Sequence, residues 1–176
     1  MIRLVLTFIT SLGFTGCAST RTASTYTYEN PPLGVLISDR GVVFEGAPAI
    51  HLFAQCSRPS PDASGGIWVP EAEIIEVLES RFPDFYQQAT SIRHLSLEFY
   101  YRQYAGFIDH GRKLVYASFF PWFTPSKEMQ AEDPVRWDPE RWKKEPVIIC
   151  DGGGRFFGVV FDPESKTFED FEMNGF

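Results

Sequence analysis

Three cysteines (Cys17, Cys56 and Cys150), three histidines (His51, His94 and His110) and a scatter of carboxylates are the side chains of this 176-residue chain suited to covalent or metal chemistry. The histidines are dispersed, and none belongs to a close ligand pair of the HxH or HExxH kind, so no metal site is expected. His110 stands in Asp109-His110-Gly111, where a turn explains it. A thiol nucleophile at Cys56 or Cys150 would need a histidine and an acid brought beside it by the fold. No Gly-x-Ser-x-Gly elbow is present. Glu73, Glu76, Glu79, Asp109, Asp151 and Asp162 could supply a carboxylate pair for glycoside hydrolysis, which needs two acids across a cleft with one pKa raised. The three glutamates recur on one face of a helical stretch and read as solvated, while Asp151 and Asp162 precede Gly and Pro in turns. The glycines after Asp151 lead into a strand instead of opening a helix, so they lack the phosphate-cradling pattern. No catalytic residue and no cofactor is assigned.

The start of the chain carries a different chemistry. One cation at Arg3 precedes a short, mostly apolar stretch from Leu4 to Phe14, then Phe14-Thr15-Gly16-Cys17. A stretch of this kind is a secretory signal, too short to span a bilayer as a mature helix. The last four residues resemble the lipobox of bacterial lipoproteins, with Phe14 where such boxes usually carry leucine. The resemblance implies a signal peptide over residues 1–16, acylation of Cys17 as the new N-terminus, and membrane attachment through the acyl chains. Ala18 in place of aspartate implies the outer membrane, with the domain facing the periplasm. Residues 18–32 are rich in Ser, Thr and small side chains and end in Asn30-Pro31-Pro32. With Cys17 they form a lipidated N-terminus and flexible linker over 17–32, which reaches roughly 50 Å when extended.

Export changes the reading of the other two cysteines. An even pair in an oxidising compartment is most simply a disulfide, Cys56–Cys150, worth about 4 kcal/mol in the chain-entropy picture. The whole chain has a formal net charge of −7, and losing the signal, whose one charged residue is Arg3, makes it one more negative. Such a balance argues against nucleic acid and against a polybasic grip on lipid.

The elements that must position these groups follow from pattern. Residues 33–45 read as two strands around a turn at Ser38-Asp39-Arg40-Gly41, and 49–54 as a third apolar run. Residues 57–66 read as an exposed loop. A helix opens near Pro70, with Ile74, Val77, Leu78, Arg81 and Phe82 on one largely apolar face and Pro83 ending or bending it. Residues 97–108 and 113–120 form a hairpin about Asp109-His110-Gly111. An aromatic, proline-rich insertion spans 121–146 and holds Asp138-Pro139-Glu140-Arg141, a cap with Pro at the first helical position. Residues 147–150, 155–161 and 166–173 complete the chain. The expected class is α+β: one domain over 33–176, a mainly antiparallel sheet packed by one amphipathic helix.

Three stretches, Tyr101-Arg102-Gln103-Tyr104-Ala105-Gly106, Cys150-Asp151-Gly152-Gly153 and Met173-Asn174-Gly175, preceded by Trp68-Val69-Pro70-Glu71, resemble those of small exported bacterial proteins without known chemistry. The resemblance implies the fold and the export, and no catalytic residue. Phe120, Trp122, Phe123, Trp137 and Trp142 place large rings in and beside the irregular insertion, a candidate interaction surface. The expected function is therefore a membrane-tethered accessory or binding module of the cell envelope, with a protein partner. An inhibitor or immunity protein against a basic envelope enzyme is one form of it. The alternative is a hydrolase of envelope polymers using paired carboxylates or a Cys/His arrangement.

Overall fold

The computed structural model describes residues 35–90, 96–121, 126–134 and 138–175. Cys17, the linker, His94, Trp122, Phe123 and Trp137 lie outside the described residues. Strands β1 (Val35–Ser38) and β2 (Gly41–Val43) pair antiparallel. Helix α1 (Gly46–Leu52) and the two-residue β3 (Ile67–Trp68) come next. The main helix, α2 (Ala72–Ala89), has 18 residues. Strands β4 (Tyr100–Asp109) and β5 (Arg112–Pro121) form the central hairpin, followed by a short α3 (Lys127–Glu132), β6 (Phe157–Asp162) and β7 (Thr167–Met173). The seven strands make one sheet in the order β1-β2-β4-β5-β6-β7, with β3 also on β4. All pairings are antiparallel except β2 with β4, where Val42 faces Gln103. The α+β class and the single domain are as expected.

The hairpin turn works as its residues demand. His110 (φ 48°) and Gly111 (φ 83°) both adopt the left-handed conformation that a two-residue, right-twisting turn requires. On β4, Tyr100 and Tyr104 pack toward α2, whereas Gln103, Ala105 and Phe107 face the other way. On β5 the same split puts Val115, Ala117 and Phe119 under α2, and Leu114, Tyr116 and Phe120 opposite. Both faces of the sheet are thus covered.

The α2 face is an aromatic layer. Ile75, Leu78, Phe82 and Tyr86 are the buried positions of the helix. The stripe is therefore set about one residue away from the expected one, with Ile74 and Val77 half-buried at its edge and Arg81 exposed. Phe82 stacks on Phe119 at 4.3 Å, and Phe119 on Phe157 at 4.8 Å. Pro83 does not end the helix. It sits on the solvent side, where its missing hydrogen bond costs least, and Phe85 and Tyr86 beyond it hold the last turns to the sheet.

The opposite face is covered by α1 and by irregular chain. The apolar run 49–54 falls largely within α1 and adds no strand; Ala49 and Leu52 seat it in this second core. Residues 147–150 are likewise irregular, not strand. The expected cap at Asp138 is displaced: its Oδ1 accepts from the Glu140 N–H at 2.8 Å in a turn through Pro139, and the 3-10 turn over Arg141–Lys143 opens two residues later with Glu140 as its N-cap and no side-chain cap bond.

Candidate functional site

The irregular side of the sheet is organised by an arginine. Arg58 is 7% exposed. Its Nε donates to the Tyr116 hydroxyl at 3.0 Å, Nη2 to Ser118 Oγ at 2.9 Å, and Nη1 to Asn174 Oδ1. Asn174 in turn donates from Nδ2 to the carbonyls of Ile149 and Asp151, both at 2.7 Å. One guanidinium fork thereby joins a loop, the centre of β5 and the residue after β7. Gly158 makes room for it: a Cβ there would lie 2.3 Å from the Tyr116 hydroxyl. Burial pushes the Tyr116 phenol up, and the adjacent Arg58 offsets part of that rise.

Cys56 and Cys150 flank this network at disulfide distance, with Cα atoms 5.2 Å apart across 94 residues of sequence. The Asp-Gly-Gly run after Cys150 has a conformational explanation, because Asp151 (φ 68°), Gly152 (φ 87°) and Gly153 (φ 62°) are all left-handed. A Cβ on Gly152 would also meet the Phe156 ring at 2.6 Å.

Beside Tyr116 the surface opens into a cleft of about 240 Å³. Tyr116 and Val160 line it with the loop Pro59-Ser60-Pro61 and with Asp170 and Glu172 of β7. A bulge shapes the β7 side, where the register with β6 slips between Gly158 and Val160 and Asp170 takes φ 50°. Among the described residues neither Asp170 nor Glu172 is held in an ion pair, unlike Glu169, whose Oε1 is 3.0 Å from Arg112. A ring, prolines and two unengaged carboxylates suit the stem and head of a basic side chain.

The other predicted groups are placed as follows. Glu73 and Glu76 are exposed on α2. Glu79 is not on a solvated face. It accepts from the buried Tyr104 hydroxyl and lies 3.0 Å from Arg102 Nε. Arg102 also donates to the carbonyls of Tyr100 at 2.7 Å and Leu97 at 3.2 Å. Burial, with the Glu79 charge beside it, holds the Tyr104 phenol well above its usual range. Asp109 and Asp162 do come together, but around a cation, at 3.5 and 3.7 Å from Arg112. Burial works against the Asp162 charge, yet the N–H groups of Ser165 and Glu164 and the nearby Arg112 hold its carboxyl below the usual range. That is the wrong direction for a general acid. Asp151 is exposed in its turn. His51 is half-buried in α1, and His110 is exposed with Nδ1 2.7 Å from Asp109. Among the described residues no three His, Cys, Asp or Glu side chains cluster as a metal site.

Two rings of the expected interaction surface are corrected. Phe120 and Trp142 are each 1% exposed and belong to the second core. Trp142 meets the Tyr101 ring edge-on at 4.8 Å. Phe120 stands on β5 beside Leu114 and Tyr116 in that core, and Trp142 is held there because Gln103 reaches up from β4 to donate to the carbonyls of Trp142 (2.5 Å) and Glu145 (2.8 Å) and to accept from the Val147 N–H (2.7 Å). Sequence reasoning missed Arg58, Asn174 and Gln103 as organising residues, although Gln103 and Asn174 both lie in the stretches that carried the resemblance. No helix among the described residues is long and apolar enough to cross a membrane. Scanned against protein-family models, and compared with curated proteins and solved structures, the chain finds no match.

Proposed function

We propose that this chain is an exported, lipid-anchored binding module of the cell envelope that engages a basic protein through the cleft beside Tyr116. The observation that carries the reading is the pair Asp170 and Glu172, which face that cleft without an ion-pair partner among the described residues. The overall charge of −7 adds long-range attraction for a cation. Export is supported by Cys56 and Cys150 at disulfide distance, an arrangement that persists in oxidising compartments. Anchoring rests on Cys17 and its lipobox-like flank. Acyl chains hold the module at the membrane, the linker lets it stand off, and the cleft takes a Lys or Arg side chain of the partner.

The test is capture of the mature domain on an immobilised cationic lysozyme, beside a panel of other basic envelope enzymes. Binding at low ionic strength that fades as salt rises, and weakens roughly tenfold in the Asp170→Asn/Glu172→Gln double variant, is expected. Absence of any capture at low ionic strength contradicts the reading.

A further inference from the structure

The network that closes the irregular face also encloses a reactive dipeptide. Asn174 is followed by Gly175, whose missing Cβ leaves the backbone nitrogen unhindered for attack on the preceding side-chain amide. In that reaction the Gly175 nitrogen gives its proton to solvent base and bonds to Asn174 Cγ. The Cγ–Nδ2 bond breaks, and ammonia leaves. The resulting succinimide takes up one water and opens to aspartate or isoaspartate. Water and base are the only co-reactants.

In the fold every participating atom is engaged. Asn174 is 4% exposed. The Gly175 N–H, the incipient nucleophile, donates to the Ser57 carbonyl at 3.0 Å. Asn174 Oδ1 accepts from Arg58, and Nδ2, the leaving group, donates to the carbonyls of Ile149 and Asp151 at 2.7 Å each. Ser57 and Arg58 directly follow Cys56, and Ile149 and Asp151 directly flank Cys150. The four groups that hold the dipeptide thus all lie within two residues of the two bridging cysteines.

We propose that Asn174-Gly175 is a latent deamidation site, held off by the Cys56–Cys150 pair and the Arg58 fork, and set running when an external dithiol reduces that pair to two thiols and is itself oxidised to its disulfide. The change is one-way. A carboxylate at position 174 cannot donate to the Ile149 and Asp151 carbonyls. Isoaspartate also lengthens the backbone ahead of Gly175, whose carbonyl accepts from the Gly153 N–H at 3.0 Å. A reduced molecule that deamidates therefore does not regain the closed face on reoxidation.

The experiment follows the exchange of amide for hydroxyl by intact mass, and isoaspartate by peptide mapping, at mildly alkaline pH. The samples are the oxidised protein, the dithiothreitol-reduced protein, the oxidised Arg58→Ala variant, and a synthetic peptide of residues 172–176 that sets the unprotected rate. The oxidised protein is expected to react at least roughly tenfold more slowly than the peptide, as a site reached only through local opening does. Reduction, and separately Arg58→Ala with its disulfide intact and its circular dichroism unchanged, are each expected to raise the rate several-fold. An oxidised protein that deamidates at the peptide's rate overturns the proposal. So does a rate unmoved by both reduction and Arg58→Ala.

Discussion

On one face of the sheet a single regular helix lays Ile75, Leu78, Phe82 and Tyr86 over aromatic strands. On the other, chain from three distant parts of the sequence is tied down by Arg58, Gln103, Asn174 and the Cys56–Cys150 pair. A helix satisfies its own backbone, so α2 needs only an apolar stripe to dock, and dispersion between stacked rings supplies the contact. Irregular chain has no internal ladder, so its carbonyls and N–H groups must find partners elsewhere. The Asn174 amide on the carbonyls of Ile149 and Asp151, and the Gln103 amide on those of Trp142 and Glu145, meet that demand. One face is held by area, the other by directed bonds and a crosslink.

The largest expected effect is on the helix face. Phe82→Ala removes the ring that stacks on Phe119, and it should lower the urea unfolding free energy by about 3–5 kcal/mol. A loss below about 1 kcal/mol would mean that the aromatic layer is not what docks α2.

Arg58→Ala attacks the other face. Leaving the Tyr116, Ser118 and Asn174 groups short of a donor should cost about 2–3 kcal/mol, and Arg58→Lys should recover little of it because an ammonium lacks the three-way fork. Full recovery by lysine, read from the same urea titration, would reduce the fork to a simple charge.

The smallest effect belongs to Tyr86 and Tyr100, whose buried hydroxyls lie beside each other but do not meet the geometry of a good hydrogen bond. Tyr100→Phe should therefore change stability at neutral pH by no more than about 0.5 kcal/mol. Its signature lies in alkali. Burial, with Tyr86 beside it, pushes the Tyr100 phenol up to about 12 from an ordinary value of 10.0. The raised folded value means that the unfolded chain ionises first. The contribution is complete below pH 10 and is lost as pH rises through about 12. Base unfolding followed by tyrosinate absorbance should be shallower in the variant across that window. An unchanged slope would assign the alkaline loss to Tyr104 instead.

How much of each face was legible from sequence follows the same division. The central hairpin and the main helix rest on local signals, turn residues at 109–111 and a 3.6-residue period, whereas the cysteine pairing, across 94 residues, rests on composition, an even count once Cys17 is set aside. The second face had no such signal. Arg58 finds its partners 58, 60 and 116 residues away, distances that no window along the chain can see. Helix α1 was missed because seven residues are too few to show a period. Pro83 was overweighted because its solvent-facing side is set by packing. The burial of Phe120 and Trp142 depends on Gln103 holding residues 142–147 against β4, a contact about 40 residues away in sequence. For the candidate site, net acidity was readable, but the placing of Asp170 and Glu172 on a bulge beside a tyrosine was not.

Amide hydrogen exchange on the oxidised and the reduced protein tests the contrast between the faces most directly. Reduction is expected to raise exchange at Ser57–Gly66, Val147–Phe156 and Gly175 while α2, β4 and β5 keep their protection. Equal loss of protection across α2 and the central hairpin, or no change around the two cysteines, would contradict an account in which packing holds one face and directed bonds with a crosslink hold the other.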